Sequence, residues 1–150
     1  MGRSSMQDLL IRIDLSNGKA APWAVPEQLK GYLGGMGYGT KILVDEVAPQ
    51  TDPLSAENKL ILTVGPLTGT TAPMHPQSCI VTKSPLTGTI LNSYAGGFLG
   101  AEIRFAGLDG LILEGAAPQA SLRGQLEPFV HEELHAADEE GHAAHYGVAE

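Results

Sequence analysis

The sequence predicts an α+β domain that is mainly β, with a few short helices. Apolar, β-branched runs recur along the chain, and the clearest covers residues 60–64. The chain contains 19 Gly and 10 Pro among 150 residues, a composition that favours short elements joined by many turns. Helical periodicity is confined to brief stretches within residues 26–47 and 98–105. The length fits one domain that can bury its own core.

The N-terminal part is predicted to be a β-hairpin. Residues 1–8 are expected to be a leader outside the fold. Residues 9–15 alternate imperfectly between apolar and polar side chains, and residues 20–24 can form the returning strand. Asn17-Gly18 lies between them, and this dipeptide is a strong signal for a tight hairpin turn because both residues tolerate a positive φ.

A helical pattern opens at Pro26 and Glu27, with Leu29, Tyr32 and Leu33 on one face. It meets a glycine-rich segment at residues 34–39, GGMGYG, and resumes at residues 40–47. Because each glycine inside a helix costs about 1 kcal/mol, this segment is predicted to interrupt the helix. Two interpretations remain open for it: a corner between helices, or a place where the backbone meets a ligand.

Residues 65–100 concentrate the turn residues and small polar side chains, so function is expected there first. The pentapeptide PLTGT occurs at 66–70 and again at 85–89, and each copy predicts a tight corner at the end of a strand. Residues 79–82 are predicted to be a short buried strand between the corners. Gly96-Gly97 precedes a helical run through Phe105, where backbone N–H groups could approach an anion; simple turns are the alternative. Further strands are predicted at residues 111–115 and near 126–130.

Charge and composition exclude several classes of function. The net charge of -8 argues against nucleic acid or an anionic membrane surface as the main partner. The single cysteine, Cys79, excludes an internal disulfide and a cysteine-ligated iron–sulfur cluster within these residues. The chain has no apolar run of membrane-spanning length and no signal-peptide pattern. A cytoplasmic protein is therefore expected.

The acidic, His- and Ala-rich tail of residues 131–150 contains one metal-binding pattern. His131, Glu132 and His135 match HExxH, in which two histidines bind zinc and the glutamate acts as general base. The spacing to a third ligand fails, because Asp138 replaces the expected glycine and His142 lies one residue too far along. A solvated polar segment is the favoured interpretation, and a zinc-dependent hydrolase is a minor alternative.

Five motifs occur in series: GGMGYGTKILVDEVAP, DPLSAENKLILTVGPLTGTTAP, VTKSPLTG, AGGFLGAE and RFAGLDGLILEGAA. Over residues 9–117 this succession closely resembles the N-terminal domain of the tungsten-dependent aldehyde ferredoxin oxidoreductases. The resemblance implies a mainly β fold of two related sheets in a pseudo-twofold arrangement. It also implies that residues 9–130 are a partial metallopterin-binding domain and that residues 131–150 lie outside it.

The resemblance further implies the cofactor and its contacts. The cofactor would be a tungsten or molybdenum ion held by two pterins, with a magnesium ion linking the pterin phosphates. Contacts are expected from the loop 73–78 and from the segment 93–97 before the short helix. The implied residues are Gln77, Ser93, Tyr94, Ala95, Gly96 and Gly97. Tyr94 would offer its backbone carbonyl to magnesium. The chain departs from the family where Gln77 replaces a frequent arginine and Tyr94 a frequent asparagine.

By resemblance, the chain is the cofactor-binding portion of an oxidoreductase that converts aldehydes to carboxylic acids with ferredoxin as electron acceptor. No catalytic residue is assigned within it. The [4Fe-4S] ligands and the substrate pocket are expected in downstream domains or a separate subunit, so the chain is read as a fragment or subunit that is inactive alone. A homodimer is left open. The competing interpretation is a non-catalytic pterin-binding or structural module.

Overall fold

The structure, a computed structural model, describes residues 8–73 and 77–117. Its elements are β1 (Leu9–Asp14), β2 (Lys19–Ala24), α1 (Glu27–Lys30), α2 (Gly35–Glu46), β3 (Lys59–Val64), β4 (Ser78–Lys83), β5 (Ile90–Ala95), α3 (Leu99–Phe105) and β6 (Gly110–Glu114). Strands dominate and the helices are short, which confirms the α+β, mainly β prediction. The strand expected near 126–130 and the HExxH tail lie outside the described residues. Among the described helices, none is both long and apolar enough to cross a membrane.

The six strands form one sheet in the order β2-β1-β6-β3-β4-β5. β6 pairs parallel with β1 and antiparallel with β3, so it joins the N-terminal hairpin to the antiparallel strands β3, β4 and β5. The resemblance implied two related sheets. The described ranges contain this one sheet, and the second sheet has no counterpart within them.

The predicted hairpin is confirmed. β1 and β2 pair antiparallel from Leu9 opposite Ala24 to Asp14 opposite Lys19. At the turn Gly18 adopts φ of +66° and donates its N–H to the carbonyl of Asp14 at 2.9 Å. The side-chain oxygen of Asn17 accepts the N–H of Lys19 at 2.8 Å.

The helical pattern after Pro26 is shorter than predicted. α1 ends at Lys30, and of the predicted apolar face only Leu29 is buried, at 3% exposure, whereas Leu33 is 70% exposed. The chain then turns through Leu33 and Gly34, with φ of +59° and +82°. A corner between two helices therefore lies immediately before α2.

The prediction that the glycines interrupt a helix is wrong beyond this corner, because α2 begins at Gly35 and continues through Gly37 and Gly39. A Cβ on Gly39 would lie 2.6 Å from Cγ2 of Val81 in β4. A Cβ on Gly37 would lie 2.4 Å from the carbonyl oxygen of Tyr32. The glycines thus let the helix approach the sheet and the corner closely, and the packing gained outweighs their low helix propensity.

The core lies between α2 and one face of the sheet. Apolar residues of five elements meet there, namely Leu10, Ile61, Cys79, Val81 and Ile112 from the strands and Tyr38, Ile42 and Leu43 from α2. Side chains alternate between the two faces of a strand, so the intervening residues point away from α2. On that second face Leu60 remains 41% exposed, and Leu62, Ile80, Leu111 and Leu113 are partly exposed.

Candidate functional site

A shallow cleft of about 240 Å³ opens where the helix corner, the end of β3 and the start of β4 meet. Its lining residues are Gly35, Met36, Gly65, Pro66, Leu67, Thr68, Gln77, Ser78, Cys79 and Tyr94. The cleft therefore brings the glycine-rich corner, the first PLTGT copy and two of the implied cofactor contacts to one place, although they are separated in sequence.

The first PLTGT copy forms the tight corner that was predicted. Thr68 donates its N–H to the carbonyl of Gly65 at 3.2 Å, and Gly69 adopts φ of +73°. The hydroxyl of Thr68 donates to the carbonyl of Gln77 at 3.0 Å. This last bond fixes Gln77 beside the corner.

The second PLTGT copy forms a corner between β4 and β5. Gly88 adopts φ of +68° and donates its N–H to the carbonyl of Ser84 at 2.9 Å, while the N–H of Ser84 donates to the carbonyl of Thr89 at 2.8 Å. Both copies thus end strands as predicted, but only the first lines the cleft.

A buried ion pair supports the cleft from behind. Asp109 is fully buried and pairs with Arg104 of α3, which is 8% exposed. Arg104 also donates to the carbonyl of Gly65 at 2.7 Å, and a carboxylate oxygen of Asp109 accepts the N–H of Asp8 at 2.6 Å. The pair therefore ties α3, the cleft corner and the start of β1 together.

Of the implied cofactor contacts, the structure brings Gln77 and Tyr94 together at the cleft. The hydroxyl of Tyr94 donates to the sulfur of Met36 at 3.4 Å across the opening. Ser93 points to the other face of β5 because side chains alternate along a strand. Ala95 lies opposite Ser78 at the end of the β4–β5 ladder. Ser93 and Ala95 do not line the cleft.

The backbone of β5 alternates between β4 and the open edge of the sheet. The bond from Ser84 to Thr89 fixes the phase, since hydrogen-bonded pairs recur at every second residue of an antiparallel ladder. In the observed register, residues 91, 93 and 95 therefore bond to β4. Residues 90, 92 and 94 direct their N–H and C=O groups away from β4. The carbonyl of Tyr94 thus points to the outer edge of the sheet.

Gly96 and Gly97 follow β5 and precede α3, as predicted, but they do not line the cleft. Gly97 adopts φ of +88°, which favours glycine. A Cβ at either position would meet no atom within 4 Å. Packing within the described residues therefore does not explain these two glycines, and their backbone is open to a ligand.

The described residues that line the cleft are all uncharged, so an anion there would not face a carboxylate from this part of the chain, although the chain as a whole is acidic. Burial raises the pKa of the Cys79 thiol, and a hydrogen bond with Tyr94 acts in the opposite direction. Cys79 is therefore a neutral, buried thiol at physiological pH. Within residues 8–73 and 77–117, no three His, Cys, Asp or Glu side chains are grouped to hold a metal ion.

The sequence profile of the aldehyde ferredoxin oxidoreductase N-terminal domain matches residues 10–122. Among curated proteins, the tungsten-containing aldehyde ferredoxin oxidoreductase of Pyrococcus furiosus is 48% identical over 108 residues, which cover 71% of this chain. The aliphatic sulfonate oxidoreductase, WOR-like subunit, of the same organism is 38% identical over 112 residues.

A solved structure of the active site complex BamBC of benzoyl coenzyme A reductase, in complex with 1,5-dienoyl-CoA, superposes on 79% of this chain. The TM-score is 0.75 and the sequence identity is 35%. The chain spans 18% of the length of the aldehyde ferredoxin oxidoreductases it matches and 18% of the superposed chain. A sequence profile that covers most of the described fold, close relatives and a matching structure all agree, and the chain belongs to the aldehyde ferredoxin oxidoreductase N-terminal domain family.

Proposed function

We propose that this chain is the cofactor-binding N-terminal portion of an oxidoreductase that oxidises aldehydes to carboxylic acids. The cofactor is a tungsten or molybdenum bis-pterin with magnesium between its phosphates, and ferredoxin accepts the electrons. One observation carries the proposal. Within a family match over residues 10–122, Gln77 and Tyr94 converge on a cleft whose described lining is uncharged, and the open backbone of Gly96 and Gly97 follows directly after β5.

The residues present fit part of such a cofactor. The Gln77 amide has both donors and an acceptor for the edge of a pterin ring, although it supplies no positive charge. The carbonyl of Tyr94 faces the open edge of the sheet and is an oxygen donor of the kind that magnesium binds. The open N–H groups of Gly96 and Gly97 suit phosphate oxygens. When bound, the metal centre would supply the two-electron redox change, and these residues would bind and orient it.

In this proposal the iron–sulfur cluster, the substrate pocket and the contact with ferredoxin lie outside this chain. With one cysteine in 150 residues, the chain cannot supply the four thiolates of a [4Fe-4S] cluster. Cluster, substrate pocket and ferredoxin contact are therefore assigned to downstream domains or a separate subunit, in the cytoplasm. We further propose residues 9–130 as the domain and residues 131–150 as a tail outside it. The chain alone should not reduce a viologen dye with an aldehyde, and turnover by it would refute this division.

The test compares two glycines that both have a positive φ and room for a Cβ. Gly97 and Gly18 have φ of +88° and +66°, and a Cβ at either meets no atom within 4 Å. Valine at either site adds similar backbone strain, on the order of 1–3 kcal/mol, but only Gly97 lies at the proposed cofactor face. We expect Gly97→Val to lose the pterin and Gly18→Val to lose only stability.

The measurement is pterin, tungsten and magnesium per folded chain, after expression in a host that makes the tungsten cofactor, with thermal unfolding in parallel. Gly97→Asn separates strain from steric exclusion, because asparagine tolerates a positive φ yet still projects a side chain. We expect this variant to remain stable and to lose pterin. A full complement of pterin in Gly97→Val would show that the site is assigned wrongly. Absence of pterin from the unmodified chain would favour the structural-module alternative.

A further inference from the structure

Among the described residues, β5 is an edge strand whose outward backbone hydrogen-bonding groups have no partner. The sheet order ends at β5, so within residues 8–73 and 77–117 no strand pairs with its outer side. The outward groups are the N–H and C=O of Ile90, Asn92 and Tyr94, as the ladder with β4 requires. Three residues in alternation thus present six groups to any strand that lies alongside.

The two edges of the sheet differ in how they are protected. β2, the opposite edge, has Pro22 in its middle, and proline blocks the approach of another strand. β5 has the sequence ILNSYA, without proline or a charged residue. Its larger side chains are also uncovered, with Ile90 45%, Leu91 37% and Tyr94 55% exposed. β5 is therefore the edge that can accept a strand.

We propose that the cofactor-free chain pairs with a second copy of itself through β5, antiparallel and with Asn92 opposite the partner's Asn92. A twofold axis perpendicular to the sheet keeps the same side chains on the same face. Only the register centred on Asn92 engages all three outward residues of both strands, because it sets Ile90 opposite the partner's Tyr94. Every one of the six outward groups on each copy is then satisfied.

The side chains and the charge favour this occupant. Each copy of Ile90 would lie beside the partner's Tyr94, an aromatic–aliphatic pair of the kind that stabilises sheets. No charged side chain of one β5 would face another, although each chain carries a net charge of -8. A single strand pair covers less area than a permanent interface needs, so the dimer should be concentration-dependent. Both magnesium and the second strand would use the carbonyl of Tyr94, so the pairing belongs to the chain without cofactor.

Sedimentation velocity of the cofactor-free chain tests the pairing. The mean mass should rise from 15.7 kDa towards twice that value across roughly a hundredfold range of concentration, as mass action requires. Asn92→Pro removes an outward N–H without removing a bond to β4, and Asn92→Lys sets two like charges together at the twofold axis. Both variants should stay monomeric with unchanged circular dichroism. Ala24→Lys, the same charge on the protected edge, should associate like the unmodified chain.

A disulfide tests the register. Residues opposite each other in a hydrogen-bonded pair have Cα atoms about 5.5 Å apart, which a disulfide spans. Asn92→Cys should therefore form a covalent dimer under mild oxidation. The unmodified chain, whose only thiol is the buried Cys79, should not. A monomer at every concentration would overturn the proposal. A dimer that persists in Asn92→Pro and Asn92→Lys would also overturn it, and would indicate that the copies associate through the apolar second face of the sheet. Because the sedimentation and disulfide experiments both use the cofactor-free chain, their outcome is independent of the proposed pterin binding.

Discussion

Replacing Gly39 with alanine tests the packing of the glycine-rich helix. The new Cβ would lie 2.6 Å from Cγ2 and 2.9 Å from Cβ of Val81, whereas carbon atoms pack best at about 3.5–4.0 Å. α2 and β4 would have to separate by about 1 Å at this point. Overpacking of this kind costs about 1–3 kcal/mol, and alanine returns about 1 kcal/mol through its higher helix propensity. Both contacts of the new Cβ would be shorter than 3.0 Å, so the structure must shift, and the upper part of the overpacking range, about 2–3 kcal/mol, applies. We therefore expect a net loss of about 1–2 kcal/mol in the free energy of unfolding.

A double-mutant cycle assigns that loss to one contact. Val81→Ala alone should cost about 2 kcal/mol, because Val81 is fully buried. In the double variant the Cγ2 contact is gone and the tight Cβ contact remains, so the relief is partial. The two changes together should therefore cost about 1 kcal/mol less than the sum of the single changes.

Urea unfolding, followed by circular dichroism and by fluorescence of the single tryptophan, Trp23, measures each variant. Gly31→Ala is the matched control, since Gly31 has φ of -65° and ψ of -14° and a Cβ there meets no atom within 4 Å. It should be neutral or slightly stabilising. If Gly39→Ala proves as stable as the unmodified chain, the close helix–sheet contact does not explain why α2 tolerates its glycines.

Three further outcomes follow from two ion pairs and the tail. Burial alone would raise the pKa of Glu46, but its hydrogen bond and charge attraction to Arg12 hold that pKa below its usual range near 4.5. The unfolded chain therefore takes up this proton first, so unfolding experiments should show stability falling below about pH 4.5, and the fall should be shallower in Glu46→Gln. Asp109→Asn removes the carboxylate beside buried Arg104 and should cost about 3–5 kcal/mol in urea unfolding. If the tail is only a solvated segment, protein purified without added metal should lack stoichiometric zinc by elemental analysis. Glu132→Gln should then leave any measured hydrolase activity unchanged.

The sequence was sufficient where a structure depends on neighbouring residues. Asn17-Gly18 dictates its own turn. The two PLTGT corners likewise follow from proline and glycine placed four residues or fewer apart, and β3 follows from a run of apolar β-formers. In each case the residues that cause the structure are the residues that form it.

Long-range contacts were not predictable in the same way. β6 lies between β1 and β3 because Leu10 and Gly110 pair across the chain, and no local pattern reports that pairing. β5 was missed as a strand because its side chains are largely exposed and show no clear apolar alternation. Met36 was not singled out, since only the fold brings its sulfur to Tyr94.

Glycine shows most clearly why sequence alone could not assign the site. Gly18, Gly39 and Gly97 are the same residue with three different surroundings. Gly18 closes a hairpin, and Gly39 has no room for a Cβ. Gly97 has room, and its positive φ of +88° accounts for glycine without saying what the open backbone contacts. Sheet packing explains Gly39 and turn geometry explains Gly18, whereas neither explains what the open backbone of Gly97 contacts. The Gly97→Asn variant separates the two possibilities. A stable variant that loses pterin indicates that Gly97 contacts the ligand, and a stable variant that keeps its pterin indicates that only the backbone conformation requires glycine there.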